Sequence, residues 1–226
     1  MSLQTILSIS ESVNINDHRF VGQMMSRNQR ISTSEIIGVQ PFGFSLRPMS
    51  YLQYSLNRSV LSVLRTADKN IEQYLNFGST GWLNYIKYQG DMTSAQILAC
   101  QWQVASANKT LVLGSLPSIS SSAFIVKTGD FCQIDRYSYI ATADVLRGSG
   151  STVNIPVHRT CLTTLTSPIG AVIGEYGITT ALGGSTYTGI TFPVVMTDYP
   201  TYSLVPITND SFINWSGEFK AIEVVL

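Results

Sequence analysis

The chain has 226 residues and carries 14 basic and 14 acidic side chains, so its net charge is zero. Charged residues make up only 12% of the sequence, against roughly a quarter in an ordinary soluble domain. So little basic charge excludes specific nucleic-acid binding through the phosphates. A chain of this length can bury a core without disulfides or metals. Few charges also mean little repulsion to oppose association, so the composition favours a subunit that is covered by partners.

The N-terminal part is predicted to form strands separated by one long loop. Residues 3–9 and 31–44 have the apolar content of strands, and the polar residues 14–30 are predicted to be a loop or an arm that contacts a partner. The N-terminus has neither the basic start nor the apolar core of a secretion signal, and no segment has the length of a membrane span. We therefore expect synthesis in the cytoplasm and no membrane contact.

Helices are predicted to follow these strands. Apolar residues recur every three or four positions over residues 48–65, which predicts a helix that begins at Pro48. Residues 68–75 are predicted to form a second helical stretch that ends at Gly78, because glycine adopts the left-handed conformation of a helix C-terminus.

Three shorter elements are predicted next. Residues 82–88 are rich in aromatic side chains, which predicts a strand. Either Asp91 or Thr93 is suited to cap a short helix that runs through Ala99. Residues 101–113 are predicted to form a hairpin.

The second half of the chain is predicted to consist of strands alone. Short β-branched and aromatic runs alternate with turn residues, and the glycine turns at 148–150 and 183–184 are each predicted to join neighbouring strands. The predicted strands are residues 123–126, 131–134, 137–145, 152–157, 171–173, 186–195, 202–206 and a closing strand at 219–226. The predicted fold class is therefore mainly β with a minor helical insertion.

A Ser-rich segment, residues 116–122, is predicted to link two domains. Residues 1–116 are predicted to form a β domain with an inserted helix at about 48–66 and short helical pieces. Residues 117–226 are predicted to form an all-β domain.

Histidine and cysteine do not predict an active site. Neither His18 nor His158 lies in a catalytic motif, and Cys161, three residues after His158, points to the opposite face of an extended strand. The cysteines, Cys100, Cys132 and Cys161, have neither disulfide nor zinc-site spacing and are predicted to be buried free thiols.

The carboxylates are interpreted as turn residues. Asp130, Asp135 and Asp144 are close enough in sequence to leave a carboxylate active site as an alternative. However, Gly129-Asp130 is a turn dipeptide that opens a strand, and Gly183-Gly184 lacks the lysine of a phosphate-binding loop. We predict no catalytic residue, no metal, no cofactor and no enzymatic activity.

Aromatic residues leave a second function open. Many tyrosines and tryptophans lie in or beside predicted strands, where they pack in a core, as expected for Trp82 and Trp102. Exposed aromatic rings also serve as platforms for ligands with one apolar side. A carbohydrate-binding β module that uses Trp215 or Tyr187 is therefore the alternative to a structural subunit.

Three runs of the second half form one pattern: residues 127–133 (KTGDFCQ), 139–145 (YIATADV) and 147–159 (RGSGSTVNIPVHR). They resemble virion proteins of tailed bacteriophages, in the distal-tail and baseplate-hub class. The pattern is a strand opened by Gly-Asp, a second strand, a glycine turn and a strand that ends near a proline. The predicted helix and the aromatic strand of the first half fit the same class.

The resemblance implies a β-sandwich or split-barrel subunit of the phage tail, made in the host cytoplasm. Such subunits form rings, here a hexamer or a trimer, with other tail or baseplate proteins as partners. A neutral ring lining would let DNA pass without binding to it. No catalytic residues of the family exist to be assigned to this sequence. The resemblance is equally compatible with a position in the hub, the wedge, the tube end or the head-tail neck of the phage.

Overall fold

The structure is a computed structural model, and it describes residues 3–17, 21–25, 31–35, 41–66, 71–78, 83–103 and 108–225. It is mainly β, with 45% strand and 11% helix, and one sheet curls into a half-barrel. The predicted fold class, mainly β with minor helices and consistent with a β-sandwich, is confirmed.

Three helices lie in the described residues: α1 Leu3–Ser8, α2 Tyr54–Thr66 and α3 Ser94–Ala99. The strands of the first half are β1 Ser10–Asp17, β2 Val21–Met25, β3 Ile31–Glu35, β4 Phe42–Pro48, β5 Leu52–Gln53, β6 Gln73–Asn76, β7 Gln101–Trp102 and β8 Thr110–Gly114. Those that follow are β9 Phe124–Val126, β10 Phe131–Ile134, β11 Tyr137–Ile140, β12 Val145–Leu146, β13 Val153–Pro156, β14 Ile169–Gly170, β15 Val172–Ile173, β16 Tyr176–Gly177, β17 Thr180–Leu182, β18 Ser185–Tyr187, β19 Thr191–Asp198, β20 Tyr202–Ile207, β21 Asp210–Trp215 and β22 Phe219–Glu223.

The chain forms two compact units, and their boundaries differ from the predicted division at residue 116. Unit 1 consists of Met1–Leu75 with Pro193–Leu226, and unit 2 of Asn76–Phe192. The strands on either side of unit 2, β6 and β19, are neighbours in one sheet. Unit 2 is thus an insertion between adjacent strands, which a boundary search along the sequence cannot recognise.

The main sheet of unit 1 has the order β1-β4-β22-β19-β6. The predicted closing strand is confirmed, because β22 lies inside this sheet and pairs with β4 and β19. Its side chains alternate: Phe219, Ala221 and Glu223 are buried, whereas Lys220 and Ile222 are exposed.

The strand predicted at residues 3–9 is wrong, because Leu3–Ser8 forms α1. Leu3, Ile6 and Leu7 are buried, which is helical spacing. Gln73 Oε1 accepts a hydrogen bond from the Leu3 backbone N–H at 2.8 Å, so a distant side chain satisfies one free donor of the helix N-terminus.

The loop predicted at residues 14–30 is also wrong where the structure describes it. β1 extends to Asp17, and β2 forms an antiparallel hairpin with β3. The strand predicted over 31–44 is two strands, β3 and β4. His18 lies outside the described residues, and an arm that contacts a partner stays a prediction.

Helix α2 begins later than predicted, at Tyr54, because residues up to Pro48 belong to β4. Asp210 accepts hydrogen bonds from the Ser55 backbone N–H at 3.3 Å and from its hydroxyl at 2.7 Å, which caps the helix N-terminus. The helix predicted over 68–75 is wrong: residues 73–76 form β6, and residues 67–70 lie outside the described residues.

Unit 2 contains two four-stranded sheets, β11-β10-β15-β16 and β13-β8-β7-β14, and the pairs β12-β9 and β17-β18. The predicted short helix is confirmed as α3, with Thr93 in a reciprocal capping box with Gln96. The predicted hairpins β7-β8 and β17-β18 are confirmed. The unit predicted around the turn at 148–150 is confirmed only at its outer ends, where Ala141 bridges Val157 and the His158 backbone N–H donates to Ile140 O at 3.0 Å. Next to the turn the prediction is wrong, because β12 pairs with β9 while β13 pairs with β8.

Residues 83–88 do not form the predicted aromatic strand, and Trp82 lies outside the described residues. Carboxylates, not a neighbouring strand, accept the backbone N–H groups at the end of this segment, whereas the Lys87 N–H donates to Asn84 O within it. Glu175 Oε2 accepts from Tyr88 at 2.7 Å, and Asp130 Oδ1 accepts from Gln89 at 2.9 Å. The aromatic content therefore serves a fixed loop whose Tyr88 hydroxyl donates to Ile125 O.

The Ser-rich segment is a fixed loop of unit 2, not a linker between domains. Arg147 Nε donates to Pro117 O at 2.9 Å, and its guanidinium also donates to Gly150 O at 2.6 Å. The Gly148 backbone N–H donates to Ser121 O at 2.9 Å. Arg147 thus ties the segment to the turn after β12.

Arg147→Ala is expected to loosen this loop without unfolding the chain. Hydrogen bonds from a charged group contribute roughly 1.5–3 kcal/mol, so amide exchange at residues 117–123 and 147–150 should become at least about tenfold faster. Hydrogen exchange measured by mass spectrometry tests this, with Arg58→Ala on the exposed side of α2 as the matched control. Equal protection in Arg147→Ala and wild type would contradict the role of Arg147.

Candidate interaction surface

The histidine and cysteine candidates have structural contacts. His158 is buried, and its Nδ1 accepts the Ile140 backbone N–H at 3.0 Å. Cys161 Sγ donates to Thr110 O at 3.6 Å. Burial raises the pKa of the Cys161 and Cys132 thiols. It also raises the pKa of the Cys100 thiol, to about 11. These thiols stay protonated at neutral pH, whereas a nucleophilic cysteine is a thiolate.

The carboxylate candidates have separate structural contacts. Asp130 is 1% exposed, and it accepts backbone N–H groups from Gln89 at 2.9 Å and Lys127 at 2.8 Å. Burial raises the pKa of Asp130. Asp144 is exposed and accepts from the backbone and hydroxyl of Thr128, which lowers its pKa. Asp135 occupies the β10–β11 turn with φ 55°. All three aspartates therefore stabilise turns or loops of the backbone.

Within the described part of the chain, no group of three or more His, Cys, Asp or Glu side chains is arranged to hold a metal. None of the helices described there is long and apolar enough to cross a membrane.

A small sheet of unit 1 exposes an uncharged surface. Strands β20, β21 and β5 pair in that order, and α2 packs against β21. One side of this sheet carries Ser203, Val205, Phe212 and Asn214, because pairing places Val205 opposite Phe212 and Ser203 opposite Asn214. With Tyr51, these side chains are called the open face.

Tyr51 dominates the open face. Its ring contacts that of Phe212 edge-on at 5.8 Å, yet the residue is 76% exposed. Its φ of 66° lies in the left-handed region, which is unusual for a bulky residue. Such strain clusters at functional positions, where the surrounding structure holds it in place. The backbone thus holds a large aromatic ring outward in a strained conformation.

The open face is also shaped to receive another surface. Val205 is 47% exposed, and a depression of about 230 Å³ lies between Tyr51, Val205, Phe212 and Asn214. The five defining side chains are aromatic, aliphatic, hydroxyl or amide, with no charge. This composition resembles the core of a protein interface, where aromatic residues are enriched and charges depleted.

Strand β20 is an edge strand, and its free edge is poorly suited to pairing. The Ser216 backbone N–H donates to Thr201 O at 2.9 Å, and hydrogen-bonded pairs alternate along an antiparallel ladder. The backbone groups of Tyr202, Leu204 and Pro206 therefore point away from β21. Pro206 has no N–H, which blunts the edge against an added strand. Association is consequently better supported at the open face than at this edge.

A cleft adjoins the open face and is called the Trp215 cleft. It has a volume of about 270 Å³ and is lined by residues 47–48, Ser50 and residues 214–218. The Trp215 ring packs edge-on against Tyr202 at 5.4 Å and Phe219 at 5.1 Å. Its indole N–H is buried and has no hydrogen-bond partner among the described residues. Ring packing alone therefore holds the indole in place.

The chain matches no protein family, and a search of curated proteins found no significant relative. The function is therefore inferred from the surface itself. Of the two aromatic residues named for carbohydrate binding, Trp215 lines this cleft, whereas Tyr187 lies in β18 of unit 2. Tyr51 was not predicted as a surface residue of interest, because it falls inside the helix predicted over residues 48–65.

Proposed function

We propose that this chain is a non-enzymatic structural subunit of a bacteriophage tail, most closely a ring-forming distal-tail or baseplate component. It associates with further copies of itself through the open face, and with other tail proteins. The observation that carries the proposal is the open face, with its strained, exposed Tyr51 and no charged side chain. The resemblance to tailed-phage virion proteins supports the choice of particle.

The three resembling runs support a scaffold role over a chemical one. They contain the whole of β13 and parts of β10, β11 and β12. Phe131, Cys132 and Ile155 in these strands are buried, and Arg147 and Asp144 fix turns. The residues on which the resemblance rests thus stabilise a β framework, which is what a structural subunit requires.

The charges favour a second copy of this chain as the partner that covers the open face. A charged partner would be selected by complementary charges on the face. The five side chains of the open face carry none, and Asp210, at the end of the same side of the sheet, accepts a hydrogen bond from Ser55. The chain itself is neutral, so copies do not repel one another. At roughly 25 cal/mol per Å² of apolar area, an interface of about 1,000 Å², repeated around a ring, makes assembly stable.

Val205→Glu is expected to weaken self-association at least about 100-fold, equivalent to ~2.7 kcal/mol, because a carboxylate would be buried without a partner. The particle mass over a dilution series, from analytical ultracentrifugation, measures this. Leu146→Glu is the matched control, since Leu146 is also a strand residue and is 47% exposed like Val205. The control should retain the wild-type mass.

Tyr51→Gly separates assembly from folding. Glycine adopts positive φ without strain, so the stability of the single subunit should change by less than about 1 kcal/mol. Association should nevertheless weaken, because the exposed ring is lost. A wild-type chain that stays monomeric, both alone and with co-expressed tail proteins, would refute the proposal; equal association of wild type, Val205→Glu and Tyr51→Gly would refute the open face as its site.

A further inference from the structure

The Trp215 cleft has a ligand chemistry that the assembly function does not use. We propose that it binds a neutral saccharide, one sugar ring at a time. The cleft shares Asn214 with the open face, but the proposal does not depend on self-association.

The size of the cleft suits a single ring. Small-molecule sites occupy about 300–1,000 Å³, and the cleft, at about 270 Å³, lies just below that range. It is formed by the end of β4 and by the segment that joins β21 to β22. Both segments are anchored in paired strands, so the cleft exists before a ligand arrives.

The polar groups of the cleft match hydroxyls, which both donate and accept hydrogen bonds. Asn214 and Glu218 have no side-chain partner among the described residues. Arg47 uses Nε in an ion pair with Glu11 at 2.9 Å, which leaves its terminal nitrogens as donors. Arg47 and Glu218 place opposite charges in one cleft. Glu11 offsets the charge of Arg47, so an anion gains little there and meets Glu218, whereas a neutral polyol can use Arg47 as a donor and Glu218 as an acceptor.

Trp215 supplies the apolar side of the site. A sugar ring has one face of C–H groups, and an aromatic ring provides a large, rigid surface against which to pack it. Tyr202 and Phe219 already fix the indole, so binding needs little further ordering of that side chain.

The test is a titration of the full-length chain with glucose, galactose, mannose and N-acetylglucosamine, followed by NMR of backbone amides. At least one sugar should shift the signals of residues 214–218 in a saturable manner, with a dissociation constant of order 1 mM. Trp215→Leu should weaken binding at least about tenfold. Because the indole N–H has no partner, this change leaves no polar group unsatisfied, and unshifted signals elsewhere verify the fold.

Asn214→Ala tests the site without disturbing packing, since Asn214 is an exposed strand residue. It should weaken binding at least about threefold. Asn154→Ala, also at an exposed strand position, is the matched control and should bind like wild type. No saturable shift with any of the four sugars, or shifts that persist equally in Trp215→Leu, would overturn the proposal. Tighter binding of inorganic phosphate or a short acidic peptide at residues 214–218 would overturn it as well.

Discussion

Asp130→Ala is expected to lower the free energy of unfolding of unit 2 by about 3 kcal/mol, since each of two buried N–H groups left without an acceptor costs roughly 1–3 kcal/mol. The donors are the backbones of Gln89 and Lys127. Asp130 therefore connects the loop after residue 83 to the turn before β10. Urea unfolding, with hydrogen exchange to assign the loss to unit 2, measures the effect. The matched control is Asp144→Ala. The Asp144 carboxylate is exposed, so its removal should lower the free energy of unfolding far less.

The stability lost in Asp130→Ala should also depend on pH, with a larger loss at low pH. Burial raises the pKa of Asp130 above its ordinary value of 3.8, so the folded chain holds this proton more tightly than the unfolded chain. The stabilising contribution of the carboxyl is fully present below 3.8 and is lost as pH rises through the raised folded pKa. The variant should therefore lose more stability relative to wild type at about pH 4 than at about pH 7. The opposite slope would contradict burial as the dominant influence.

Gln133→Leu is expected to cost about 4 kcal/mol, the largest loss among single substitutions proposed for this chain. The Gln133 amide is buried and forms a reciprocal pair with the Thr191 backbone: Oε1 accepts its N–H at 2.8 Å, and Nε2 donates to its carbonyl at 3.0 Å. Nε2 also donates to Asp135 O at 3.1 Å. Leucine of similar size fills the space but leaves these three backbone groups without partners.

The matched control is Gln101→Leu, because Gln101 is an exposed strand residue. It should change stability by less than about 0.5 kcal/mol. Both variants are measured by urea unfolding under the same conditions. A loss at Gln133 no larger than that at Gln101 would contradict the role given to the buried amide.

Strands with local alternation could be predicted from the sequence, whereas elements that depend on distant partners could not. Strand β10 was predicted with the observed bounds, since its residues and its Gly-Asp turn carry the signal locally. Helix α2 was predicted to begin too early, because its cap is Asp210, 155 residues beyond Ser55. The loop after residue 83 was mistaken for a strand, because its backbone donors bond to Asp130 and Glu175, which no local pattern reveals.

The candidate surface was predicted in part. Trp215 was named as a possible ligand platform from its residue type, and it lines a cleft. The open face was not predicted, because it combines Tyr51 with strands more than 150 residues later, and because the positive φ of Tyr51 has no sequence signature. The low charge of the whole chain was the sequence property that pointed toward association.

Photo-crosslinking in the assembled particle tests most directly whether this chain functions by self-association through the open face. A photoreactive amino acid is placed at Val205 in one sample and at Leu146, the equally exposed control position, in another. We expect a crosslink between two copies from position 205, and none from position 146. Crosslinks from both positions alike, or none from position 205 in particles of oligomeric mass, would contradict the account.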